Sequence, residues 1–93
     1  MTNLSHRIPK LNPLFRLQFE KAQASYVLLY PEGMITLNDS AAEILTRVDG
    51  QKSHSVICAD LRDAFPSAPP ELENDVDEFL VHAETKKWIL YDA

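Results

Sequence analysis

The feature that most constrains this chain is a change of hydrophobic period at Leu37-Asn38. Before it the pattern alternates. Phe15, Leu17 and Phe19 are interleaved with Arg16, Gln18 and Glu20, which predicts a strand with one buried face. After the polar run Lys21 to Ser25, Tyr26 to Tyr30 is an aromatic and β-branched run, a second strand. Pro31-Glu32-Gly33 predicts a tight turn, with proline at the first central position, positive φ at Gly33 and a closing bulge. Met34 to Leu37 is then a short third strand.

Beyond Asn38 the period is helical. Asn38 is a good N-cap, with Asp39 placed where the helix dipole favours an anion. Ala41, Ile44, Leu45 and Val48 form one apolar stripe, and Gly50 is the expected terminator. A second helix is predicted from Ser53 or Ser55 to Phe65, with Ile57, Leu61 and Phe65 on one face and Pro66 as its stop. The third has the clearest pattern: Leu72, Val76, Phe79, Leu80 and Ala83 share a face, Pro70 suits its start, and Lys86 and Lys87 complement its end. Trp88 to Tyr91 forms a last strand or docks on the core. Strands grouped apart from helices predict an α+β domain: a small winged-helix-like fold with a three-stranded antiparallel sheet followed by three helices. Residues 1–14, with Pro9, Pro13 and little periodicity, read as an N-terminal arm, and residues 15–93 as the domain.

At 93 residues the chain fits one domain with a thin core and little room for a deep enclosed active site. No catalytic or metal constellation is legible. His6, His54 and His82 are far apart, and His54 with Cys58 makes a single pair. With Gly33 and Gly50 the only glycines, there is no phosphate loop. The expectation is therefore no enzyme, no cofactor and no metal. A single cysteine rules out an internal disulfide, no apolar run reaches membrane-helix length, and the cytoplasm is the default location. A winged helix raises DNA binding as an alternative, but the net charge is -5 and Glu71 to Glu84 carries six acids and no Lys or Arg, so the third helix would be repelled by phosphate.

Leu28-Leu29-Tyr30-Pro31-Glu32-Gly33-Met34, Leu37-Asn38 and Ser40 to Leu45 closely resemble the pyrroloquinoline quinone biosynthesis family PqqD, as do Arg7-Ile8-Pro9, Asp75-Val76, Phe79-Leu80 and Trp88. The resemblance covers nearly the whole chain. It implies a cofactor-free peptide chaperone that binds the ribosomal precursor peptide PqqA and presents it to the radical S-adenosylmethionine enzyme PqqE. It also implies that the guest adds as a strand to Met34, Ile35, Thr36 and Leu37 and lies against Asp75, Val76, Phe79, Leu80 and Ala83 on the third helix. An unpaired strand edge would accept such a guest through backbone groups. Leu37, Val76 and Leu80 read equally as plain core, since a helix stripe is core before it is a site. The alternative partner is the leader of another modified-peptide pathway. Where many members of the family have glycine before the C-terminal tryptophan, this chain has Lys87, and Leu14-Phe15 replaces a smaller pair. Finally, an open edge and two blocks joined at Leu37-Asn38 predict strand exchange between copies, a homodimer in equilibrium with monomer.

Overall fold

The computed structural model describes residues 6–91. Its elements run β1 (Pro9–Leu11), β2 (Arg16–Glu20), β3 (Ser25–Tyr30), β4 (Gly33–Thr36), α1 (Asp39–Leu45), α2 (His54–Ala64), α3 (Leu72–Thr85) and β5 (Ile89–Tyr91). The predicted α+β class holds, with an antiparallel sheet in the order β2-β3-β4 and three helices after it.

A second sheet of two strands, β1 antiparallel to β5, joins the two ends of the chain. The expected N-terminal arm is therefore part of the fold from His6 onward, and its residues 1–5 lie outside the described region. Three residues are too few to show a period, so β1 could not be read locally; its partner stands at the other end of the chain.

The β3–β4 hairpin closes without the expected bulge. Tyr30 pairs directly with Gly33, leaving Pro31 and Glu32 as the loop, and Gly33 is nearly extended at φ 159°. The left-handed residue of the sheet is instead Ala24 (φ 52°), which ends the β2–β3 turn. Leu17, Leu28 and Ile35 stand opposite one another on the inner face.

That face packs on the helices. Leu28, Leu45, Ile57, Leu61, Leu80 and Ile89 belong to one buried cluster. Asn38 caps α1 as predicted, its side-chain oxygen accepting the Ala41 N–H at 2.8 Å. Helix α1 stops well before Gly50: Arg47 and Val48 N–H turn to the Ile44 and Leu45 carbonyls, and the Thr46 hydroxyl and Arg47 guanidinium donate to the Glu43 carbonyl at 3.1 and 2.8 Å. Gly50 (φ 79°) sits in the turn beyond, where the Asp49 carboxylate accepts the Gln51 and Lys52 N–H groups at 2.9 Å. Those bonds hold the Asp49 carboxyl below its usual range.

Helix α2 starts on Ser53 as expected, its hydroxyl accepting from Val56 N–H. Phe65 does not continue the apolar face: it leaves the helix at φ -130°, ψ 77° and is exposed. The following Pro66 disfavours helical backbone at Phe65. The Pro66–Pro70 connector is held by Arg62, which makes a two-pronged bond to Glu73 (2.8 and 2.7 Å) and reaches the Pro69 carbonyl at 3.2 Å.

Helix α3 ends in a Schellman motif. Trp88 N–H bonds to Ala83 C=O and Lys87 N–H to Glu84 C=O, both at 2.9 Å. Lys87 supplies the left-handed residue at φ 66° without being glycine. The departure from the family pattern therefore keeps the turn and accepts the steric cost of a Cβ there.

Candidate functional site

Strand β4 lies at the edge of its sheet. The direction of its backbone groups follows from the register. Leu37 N–H donates inward to Tyr26 C=O at 3.0 Å. Antiparallel pairing alternates, so Ile35 and Gly33 also face β3 across Leu28 and Tyr30. The N–H and C=O groups of Met34 and Thr36 consequently point away from the sheet, where a guest strand could take them. The side chains divide the same way. Ile35 and Leu37 pack against the core, while Met34 (46% exposed) and Thr36 are on the opposite, open face.

The structure separates the predicted site residues into two groups. Leu37, Val76, Leu80 and Ala83 are buried, three of them at 1% exposure or less, among Leu28, Ile57, Leu61 and Ile89. Leu80 and Ala83 shape the surface from beneath; a guest cannot reach their side chains without displacing core neighbours. Met34, Ile35, Thr36, Asp75 and Phe79 remain accessible in whole or part. Phe79 packs its ring 6.3 Å from that of Trp88, and Trp88 in turn meets His82 edge-on at 5.4 Å.

Where β4 ends, a broad groove of about 1330 Å³ opens between α1, the end of α2 and the start of α3. It brings Leu37, Asp75 and Val76 together with Tyr26, Leu72 and Phe65. Met34, Ile35, Thr36, Phe79, Leu80 and Ala83 do not line it. Phe65 and Leu72 were legible only as core-stripe residues; the proline after Phe65 was the one signal that it would turn outward.

A second constellation was not legible at all. The His54 ring, 1% exposed, reaches Asp77 Oδ1 from Nδ1 at 2.9 Å and Tyr91 Oη from Nε2 at 2.7 Å. A carboxylate only accepts, so Nδ1 carries the hydrogen toward Asp77, and in the neutral ring Nε2 accepts from the Tyr91 hydroxyl. Burial pushes the Tyr91 phenol up to about 12, so it stays a donor. Arg7 lies over the Tyr91 ring at 3.7 Å and meets Glu84 at 3.8 Å. Arg7 C=O also accepts the His54 N–H at 3.0 Å. This network ties the first described residues and β5 onto α2 and α3.

His54 thus does not pair with Cys58 on a helix face. The Cys58 thiol is buried, and burial raises it to about 11, which suits a small core residue rather than a nucleophile. Among the described residues no group of three or more His, Cys, Asp or Glu side chains is placed to hold a metal ion, and no helix is long and apolar enough to cross a membrane.

A short antiparallel sheet whose β4 edge has no partner strand among the described residues, backed by three helices, defines a small winged-helix-like recognition domain. The chain belongs to the PqqD family: the family described as "Coenzyme PQQ synthesis protein D (PqqD)" matches residues 25–89. It is 54% identical over 82 residues to the "PqqA binding protein" of Azotobacter vinelandii, covering 88% of each chain. It is 45% identical over 89 residues to that of Acinetobacter baylyi, covering 96% of this chain and 89% of the relative. Among solved structures it resembles the PqqD truncation of Methylobacterium extorquens PqqCD, with a TM-score of 0.73 and 30% identity over 89% of this chain and 88% of that one. That protein is described as a functional, stand-alone recognition element for ribosomally synthesised and post-translationally modified peptides.

Proposed function

We propose that this chain binds the precursor peptide PqqA as an added strand along Met34–Thr36 and presents it to the radical S-adenosylmethionine enzyme PqqE, with no catalytic step of its own. The observation that carries the reading is the open β4 edge, where the backbone groups of Met34 and Thr36 face outward. The relatives named as PqqA binding proteins and the solved peptide-recognition element support it. Backbone pairing supplies affinity without demanding particular side chains, and the half-exposed Ile35 and Phe79 with the carboxylate of Asp75 add selectivity. Strand addition needs no cofactor. The recognition unit comprises residues 15–93 together with β1, which pairs with β5, and it works in the cytoplasm.

The same edge serves a second copy when no peptide is present, which gives a monomer–dimer equilibrium that peptide shifts toward monomer. Light scattering across a concentration series, with and without PqqA, reads that shift directly. Binding itself is tested by titrating PqqA into isotope-labelled protein. Backbone amide shifts are expected at Met34 to Thr36, with smaller ones at Asp75 and Phe79. Shifts confined to α2, with none in β4, reject the reading.

A further inference from the structure

Apart from Asp75, the groove beside β4 has charges that the peptide edge does not use. Its two cations are already engaged: Arg47 holds Glu43 at 2.8 Å and Lys52 holds Asp60 at 2.7 Å. Asp39, Asp63 and Asp75 also line it and, among the described residues, make no ion pair. Asp39 and Asp75 lie in the first turns of α1 and α3, where the helix dipole accounts for them. Asp63 has no such account. It stands in the last turn of α2, against the dipole, and the adjacent Arg62 is committed to Glu73. Two large apolar side chains, Phe19 and Phe65, are 49% and 45% exposed along the same groove. At about 1330 Å³ and open to solvent, it exceeds a small-molecule pocket and suits a segment of another protein.

We propose that this groove docks a segment of the peptide-modifying enzyme that carries Lys or Arg beside aliphatic or aromatic side chains. The inference rests on the peptide-presenting role proposed above and adds the face used for the second partner. A carrier that hands over its guest must hold peptide and enzyme together, so the two need separate surfaces. The groove starts at Leu37, where β4 ends, and leaves Met34, Ile35 and Thr36 free. An enzyme seated there meets the guest strand as it runs off the sheet. Asp39 and Asp63 meet its cations, and Phe65 and Phe19 supply apolar contact, while Asp75, at the groove's edge nearest the guest, stays with the peptide.

The experiment measures three affinities: the chain for PqqA, the chain for the enzyme, and the PqqA-saturated chain for the enzyme. Asp63→Lys suits the helix end, so folding is preserved, and it reverses the charge. It should weaken enzyme binding about tenfold at low salt, with the difference shrinking at high salt. Phe65→Ala should weaken enzyme binding at both salts. PqqA affinity and melting temperature should stay at the parental values in both variants. Enzyme affinity within about twofold of the parent in both variants overturns the proposal. So does a loss of PqqA affinity with enzyme binding intact, which would give the groove to the peptide, and so does a parental chain that binds PqqA but not the enzyme. A parental chain that does not bind PqqA is a different result and removes the peptide-presenting role itself.

Discussion

The two short strand systems of this molecule are built on opposite principles. The β1–β5 pair has three residues per strand, too few for backbone pairing alone to hold in water. It is fixed by side chains from elsewhere: His54 between Asp77 and Tyr91, Arg7 stacked on Tyr91, and Asn12 donating to the Lys87 carbonyl at 2.8 Å. At β4 the reverse holds. The strand is integrated on its inner side, through Leu37 and Ile35, while Met34 and Thr36 leave their backbone groups to solvent. Closing the chain used polar side chains far apart in sequence; keeping a place for a guest required leaving ordinary strand groups unpaired. A hydrogen bond gains little net energy when water is the alternative, so an open edge costs little until a guest fills it.

The sharpest test of that contrast is His54→Ala. It removes two buried hydrogen bonds and leaves a void, which should cost about 3 kcal/mol and lower the melting temperature by roughly 15 °C. The folded variant should still bind PqqA with parental affinity. A melting temperature within a few degrees of the parent would break the claim that this network holds the ends together.

The complementary test is Thr36→Pro. It deletes an outward donor and spares the inward bonds of Ile35 and Leu37, so PqqA binding should weaken by about 1–2 kcal/mol with little change in stability. Ile35→Pro removes an inward donor and should disrupt the hairpin itself, seen as loss of β structure by circular dichroism. Equal PqqA affinity for Thr36→Pro and parent would exclude β4 as the docking edge.

Smaller effects sharpen the picture of the seam. Lys87→Gly relieves a left-handed residue just before β5 and should raise stability by about 1 kcal/mol in denaturant titrations. Ala24→Gly, in the β2–β3 turn, should act in the same direction and by less.

The smallest concerns the ion pair that links α2 to the first turn of α3. Hydrogen bonds from Arg62 hold the Glu73 carboxyl at about 2, well below its ordinary 4.5. A depressed carboxyl contributes stability that is present above pH 4.5 and lost as pH falls toward 2. The pair is exposed and screened, so the effect is modest. Melting curves from pH 6 to pH 2 should show an acid-sensitive component that Glu73→Gln abolishes. An identical pH profile in the variant would mean that the connector is held without this pair.

Much of the fold was open to reading because its signals are local. Alternation over Phe15–Phe19, the Pro31-Glu32 loop, the Asn38 and Ser53 caps and the α3 stripe each depend on residues a few positions apart. Gly50 does not end α1: the Thr46 and Arg47 side chains take the Glu43 carbonyl, and the bulge expected at Gly33 is likewise absent. Phe65 was misplaced on the apolar face of α2 because the stripe was weighed above the following proline.

What the sequence by itself determined is the order of the three sheet strands β2 to β4 and the three helices, the acidity that disfavours phosphate, and the family pattern from Leu28 to Leu45. Periodicity and capping chemistry act over one turn or one strand, so they survive without knowledge of the whole. Only the tertiary structure decided which stripe residues are sealed in the core. Val76, Leu80 and Ala83 share a helix face with Phe79, yet only Phe79 reaches the surface, because exposure depends on what packs opposite. It also decided that Met34 and Thr36, rather than Ile35 and Leu37, offer their backbone outward, since that follows from the register against β3. And it alone brought His54, Asp77 and Tyr91 together, because contacts across such separations follow from how the elements pack and leave no trace in local spacing.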